Sequence, residues 1–324
     1  MLKKNIFLLI IIICFSYCSN SDKQKTIKLA HGLDTNHPVH KAMILMGSEL
    51  EKNSNGKLKL EIYPNQQLGS ERQCLELLQI GSLDMTKVSA AVMENFSPNM
   101  KVLGLPFLFE NKEHTFKTLD GEIGQELLDG GKKYWLKGLG YYDAGSRSFY
   151  TKDKNITAPK DLEGLKIRVM ESVTAMNMVS SLGGSPSPIS SGELYTALQQ
   201  GVVDGAENNP TTFFLSRHYE VCKFFSLDEH TTIPDVLIMS THLWNSLSEQ
   251  EQNWIQVSVK TSVKYQRELW EKSELNALKA VQKEGVVIIQ PEKTQFKNKV
   301  EKIYESYKDN IEMYSLINRI KNNQ

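Results

Sequence analysis

Two stretches decide how this chain is read: Gly164-Leu165-Lys166-Ile167-Arg168-Val169 and, further on, Gly201-Val202-Val203-Asp204-Gly205-Ala206-Glu207-Asn208-Asn209-Pro210. In the first, Arg168 stands between two β-branched residues in a short apolar run, the pattern of a buried or half-buried strand. A guanidinium there is costly unless a carboxylate or several acceptors meet it. No acid lies two or four positions earlier on the same strand face, and Glu171 would point the other way. The expected partner is a ligand's carboxylate; the competing one is a distant Asp or Glu of the chain. The second stretch reads as a strand, a turn at Gly205 and a polar cluster stopped by Pro210. Clustered amides and a carboxylate at a strand end suit a polyol. The plainer role for the two asparagines is to cap a turn.

Working outward, 324 residues allow one large or two ordinary domains, and 40 % hydrophobic residues supply a sizeable core. Lys+Arg and Asp+Glu both number 38, and no basic run appears, which argues against a nucleic-acid partner. Residues 1–18 read as an export leader: Lys3 and Lys4 precede an apolar run, Ile6 to Phe15, too short to span a bilayer. Phe15-Ser16-Tyr17-Cys18 resembles a bacterial lipoprotein cleavage box with Cys18 as the lipidated first residue. Tyr17 departs from the small residue usual there, and cleavage near Ser19 to a free product is the alternative. Residues 19–25 form a polar tether. Of four cysteines, Cys14 and Cys18 belong to the leader, and Cys74 and Cys222 are expected as buried free thiols, with a disulfide as the second reading.

The mature chain opens as strand–helix–strand–helix–strand: Thr26 to His31, a helix begun by His37-Pro38, Leu58 to Tyr63, Glu71 to Gln79, then Leu83 to Ala90. That order implies a parallel sheet with crossover helices. Leu139 to Ala144 reads as a strand, followed by Gly145-Ser146-Arg147, and Val221 to Leu227 and Val236 to Ser240 as strands flanking a loop at His230 to Pro234. Ser248 to Glu284 contains neither Pro nor Gly and keeps a helical apolar stripe. A helix of that length exceeds one small domain and should bridge two.

Arg147 and Arg168 each offer a planar fork of donors that fits a carboxylate. Two arginines without adjacent acids favour an anion over a neutral sugar, although taken alone Arg147 reads rather as an exposed loop residue. Glu71 at a helix start either meets ligand or complements the helix dipole. Lys87 and Ser89 end a strand, where a cleft would lie. With Asn208, Glu207 and His31 they complete the candidate ligand residues. No acid stands between His37 and His40, so the three histidines 31, 37 and 40 are expected in structural or first-turn roles, with no metal. No G-x-S-x-G, G-x-x-x-x-G-K-[ST], H-E-x-x-H or G-x-G-x-x-G occurs, and no catalytic residue is assigned.

From about Ile27 onward the chain resembles the solute receptors of tripartite ATP-independent periplasmic (TRAP) transporters, the DctP family. The segments that carry the resemblance are Ala30 with His37-Pro38-Val39-His40-Lys41, Gly69-Ser70-Glu71-Arg72, Leu103 to Phe109, Asp161 to Arg168, Glu193 to Gly205 and Glu207-Asn208-Asn209-Pro210. The resemblance implies an α/β fold of two lobes, the plan of periplasmic binding proteins, with a ligand cleft between them and a long bridging helix. The lobes would take residues 26–146 with 236–270, and 147–235 with 271–324. It implies that Arg168 salt-bridges the ligand carboxylate, that Asn208 supports it, and that Arg147 matches a second ligand-binding arginine. Ala206 to Pro210 and Asp228-Glu229-His230-Thr231 are similar to members that bind uronic and related sugar acids. A monomeric periplasmic receptor follows, with no cofactor, delivering its ligand to membrane permease subunits and touching the membrane only through a lipid at Cys18. The alternatives are an exported sugar-acid lyase or isomerase, an ABC-type receptor, and a receptor for a dicarboxylate or sialic acid.

Overall fold

The computed structural model describes residues 24–323; the leader, Cys18 and nearly all of the tether lie outside the described residues. The strands, in chain order, are β1 (Lys25–Ala30), β2 (Leu58–Tyr63), β3 (Met85–Ser89), β4 (Leu136–Tyr142), β5 (Ser146–Thr151), β6 (Lys166–Val169), β7 (Ser185–Pro188), β8 (Gly205–Asn208), β9 (Phe224–Thr232), β10 (Asp235–Ser240) and β11 (Val287–Ile289). They form two sheets. The first has the order β2-β1-β3-β10-β4, the second β11-β9-β5-β8-β6-β7. In the first sheet β1, β2 and β3 run parallel, as the opening pattern requires, and β10 runs antiparallel between β3 and β4.

Local signals explain the helices that hold these strands. His37 caps the helix Pro38–Asn53, which buries Val39, Met43, Met46 and Leu50. Ser70 and Gln73 form a reciprocal capping box at the helix Glu71–Gln79. Ser248 and Glu251 do the same for the 35-residue helix Glu249–Lys283, about 50 Å long at the usual helical rise. That helix packs on Pro38–Asn53 and β4 at one end and on the helix Pro210–Leu215 at the other. It therefore spans elements of both sheets. Near the C-terminus, the helix Thr294–Glu305 packs on Val173–Ser181, and Ile311–Lys321 on Glu122–Gly130.

The chain passes between the sheets through Asp143–Gly145, joining β4 to β5, and through Ile233–Pro234, joining β9 to β10. Gly145 has φ +62°, and a Cβ there would stand 2.5 Å from Glu274 Oε1 on the long helix. Gln266, fully buried, grips the first crossing: its Oε1 accepts from Asp143 N (2.8 Å) and its Nε2 donates to Asp143 O (2.7 Å).

Two expectations need correcting. Arg147 is not on an exposed loop; it sits in β5, paired on both sides, and is 5 % exposed. The loop expected at His230 is the end of β9, which bulges out around Glu229 (φ +48°) before rejoining β5 at Thr231. Cys74 and Cys222 are buried and unpaired. Among the described residues no helix is long and apolar enough to cross a membrane.

Candidate ligand-binding cleft

The C-terminal end of β6 carries Arg168. The residue is 2 % exposed, and Nε donates to the Ile189 carbonyl at 2.7 Å. Among the described residues no carboxylate lies within ion-pairing distance of it. Burial pushes its pKa down, the mark of a cation out of water without a close counter-charge.

Arg147 behaves differently. Nε and Nη2 donate to the two carboxylate oxygens of Glu207 at 2.5 and 2.9 Å, Nη2 also to the Glu207 carbonyl at 2.7 Å, and Nη1 to Asn208 Oδ1 at 2.9 Å. The expectation of two arginines free of acids is thus overturned for Arg147. The antiparallel register of β5 and β8 sets Ser148 against Asn208 and Phe149 against Glu207, which puts that acid beside the guanidinium. Glu207 holds Arg147 in place. Burial alone would raise its pKa, but Arg147 and His230 pull it down to about 2. The bulge in β9 brings His230 to Glu207 at 3.5 Å, while Nδ1 bonds Asp228 at 2.8 Å. Burial would lower the His230 pKa; the two carboxylates lift it to about 9.

Asn208 Oδ1 also accepts from Asn209 N and Nδ2, which leaves its own Nδ2 as the donor still to be used. Asn209 takes the plainer role and caps the helix Pro210–Leu215 through Thr212 N at 2.7 Å.

The facing wall comes from the first sheet. Lys87 Nζ, 3 % exposed, lies 3.0 Å from Glu71 Oε1 and 3.0 Å from Asp235 Oδ1. Burial disfavours this ammonium, but Asp235 and Glu71 outweigh it and raise its pKa. Burial raises that of Asp235. The second Glu71 oxygen accepts from Ser89 N at 3.2 Å, and Ser89 pairs in register with Asp235.

A cavity of about 70 Å³ separates the walls, lined by Glu71, Lys87, Ser89, Arg147, Arg168 and Asn208 from the sequence candidates. Two of those candidates stand apart. Glu207, behind Arg147, does not line the cavity. His31 does not reach it: Nδ1 accepts from Leu33 N at 3.1 Å and Nε2 faces His40 Nδ1 at 2.9 Å. Asp235, His37, Gln66 and Trp270 line the cavity and were not foreseen. Larger open hollows elsewhere on the surface hold neither Arg147 nor Arg168. Among the described residues no group of three or more His, Cys, Asp or Glu is arranged to hold a metal ion.

One wall thus carries a buried guanidinium that can take a carboxylate, and the other a set of acceptors around a neutralised lysine. The model of the DctP family, bacterial extracellular solute-binding proteins, family 7, matches residues 29–310. Protein YiiZ of Salmonella typhimurium is 36 % identical over 302 residues, 93 % of this chain and 92 % of its own. A TRAP periplasmic solute-binding protein from a Bradyrhizobium species, in complex with α/β-D-galacturonate, is 38 % identical, with a TM-score of 0.90 over 92 % of this chain and 99 % of that one. One from Roseobacter denitrificans with bound β-D-glucuronate is 32 % identical, with a TM-score of 0.90 over 93 % of this chain and all of that one. These proteins bind solutes and are not enzymes, which removes the lyase and isomerase alternatives. The two-sheet fold, the long bridging helix and the match along almost the whole described chain agree: the protein belongs to bacterial extracellular solute-binding protein family 7, the DctP family of TRAP transporter receptors.

Proposed function

We propose that this receptor captures a sugar acid of the uronate class and hands it to the membrane permease subunits of a TRAP transporter. The observation that carries the reading is the contrast between the two walls. Among the described residues Arg168 is buried without an acid, whereas Lys87 is already held by the carboxyl groups of both Glu71 and Asp235. A carboxylate docks on Arg168, with Asn208 Nδ2 beside it. A second carboxylate at the far end would meet Glu71 and Asp235, so hydroxyl groups suit that end and a dicarboxylate does not. The relatives crystallised with galacturonate and glucuronate support the same class.

The receptor works outside the cytoplasm as a monomer, tethered by a lipid on Cys18. A Cys18→Ser chain recovered in the membrane fraction would remove the tether from this account. A thermal-shift screen tests the ligand class with D-galacturonate, D-glucuronate, aldonates, succinate and sialic acid. A ligand present at a hundred times its Kd stabilises the folded state by about 2.7 kcal/mol. Uronates are expected to raise the midpoint; a shift with succinate or sialic acid and none with uronates would overturn the reading.

A further inference from the structure

His37 does two jobs with its two ring nitrogens. Nδ1 accepts a hydrogen bond from the backbone N–H of Val39 at 3.3 Å, capping the helix Pro38–Asn53. A nitrogen that accepts is the one without a proton. The ring is 3 % exposed, and burial first, then the Lys87 ammonium, hold its pKa well below the usual histidine value. The ring is therefore neutral, and its single proton sits on Nε2. That atom is buried, has no hydrogen-bond partner among the described residues, and belongs to a side chain lining the cavity. A buried N–H without an acceptor is rare in folded proteins and asks for an explanation.

The neighbours say what kind of atom it awaits. Glu71 and Asp235 both accept from Lys87 Nζ, which is thereby engaged by both. The Trp270 ring lies beside His37, centroids 5.6 Å apart, and its Nε1 is a second buried donor without a partner among the described residues. A hydroxyl satisfies both kinds of group, giving its hydrogen to a carboxylate and taking one from His37; a methylene satisfies neither.

We propose that His37 is a specificity-determining residue, donating Nε2–H to a hydroxyl oxygen of the bound sugar acid. This deepens the sugar-acid reading and rests on it. The helix cap fixes the tautomer, so the donor is set before ligand arrives.

Asn is as good a helix cap as any residue but lacks the second ring nitrogen, so His37→Asn separates capping from binding. Calorimetry with D-galacturonate and D-glucuronate should show affinity weakened about tenfold or more, with the ligand-free unfolding midpoint unchanged. An unchanged Kd in a folded His37→Asn receptor overturns the inference while leaving the sugar-acid reading intact. On the unaltered protein, long-range nitrogen–proton NMR should show His37 protonated on Nε2, with that resonance moving on saturation with the uronate. A proton on Nδ1, or no movement, overturns it independently of any variant. A wild-type receptor that binds neither uronate overturns the sugar-acid reading, and this inference falls with it.

Discussion

Arg147 and Glu207 lie on adjacent antiparallel strands, and the guanidinium of one closes on the carboxylate of the other through two bonds of 2.5 and 2.9 Å. Arg168, on the strand beyond β8, makes no such pair. The two arginines share one wall of the cavity in different states. Arg147 is neutralised and rigid; Arg168 carries the uncompensated charge. His230 and Asp228 extend the neutralised side and fix Glu207 from behind.

The difference predicts opposite mutational signatures. Arg168→Ala should weaken sugar-acid binding by about 2–5 kcal/mol, roughly 30-fold to several thousand-fold in Kd. It should leave ligand-free stability unchanged or higher, because it removes a buried cation without an acid. Arg168→Lys should also bind poorly, since an ammonium cannot reproduce the fork. Arg147→Ala instead strands Glu207 and should destabilise the empty protein by about 3–5 kcal/mol. Calorimetry and urea unfolding on the pair separate the roles; near-normal affinity in Arg168→Ala would end the carboxylate assignment.

The pH dependence of stability follows from the same cluster. Glu207 is held at about 2 in the folded chain against an ordinary 4.5, so its contribution is present above pH ~4.5 and lost as pH falls toward 2. His230 is lifted to about 9 from 6.5, so its contribution is full below 6.5 and lost as pH rises toward 9. Melting temperature should therefore be highest between these limits and decline on both sides. His230→Gln should flatten the alkaline decline and also weaken the acid one, because His230 helps Arg147 hold the Glu207 pKa down. An alkaline slope that survives the substitution would place its origin elsewhere.

On the facing wall, Asp235→Asn removes one acidic partner of Lys87 while keeping its shape. Sugar-acid affinity should drop about 10-fold to 100-fold, the range for losing a hydrogen bond to a charged acceptor. Succinate should gain affinity in the variant. Equal succinate binding by both proteins, measured by calorimetry, would show that the carboxylates do not select against a second acid.

What could be read from the residues divides along range. The opening βαβαβ, the helix start at Glu71 and the long helix rest on local periodicity and breaker residues, so they were legible. Strand parity also showed that no acid close in sequence shares the face of Arg168, but it left a distant Asp or Glu open as its partner. The Arg147–Glu207 pair depends on the register of two strands far apart in the chain, and no spacing rule gives that. Asp235 reaches Lys87 only because β10 inserts antiparallel beside β3. His31 and His37 look interchangeable in the sequence. Which one faces the cavity is settled by the turn between β1 and the helix, where His31 binds Leu33 N and His40.

The last prediction concerns the passage between the sheets. Gln266 satisfies both the N–H and the C=O of Asp143 from a fully buried position on the long helix. Two residues on, Gly145 holds a left-handed turn against Glu274 and Trp270. Gln266→Leu has nearly the same volume but leaves two buried backbone groups unpaired, at about 1–3 kcal/mol each. The protein should lose about 2–6 kcal/mol in urea unfolding, with faster amide exchange concentrated at 143–145. Because that segment joins the two walls of the cavity, the loss should also appear as faster ligand release, with every cavity side chain unchanged. A variant that is destabilised but releases ligand at the wild-type rate would make Gln266 a pure core residue and detach the crossing segment from ligand retention.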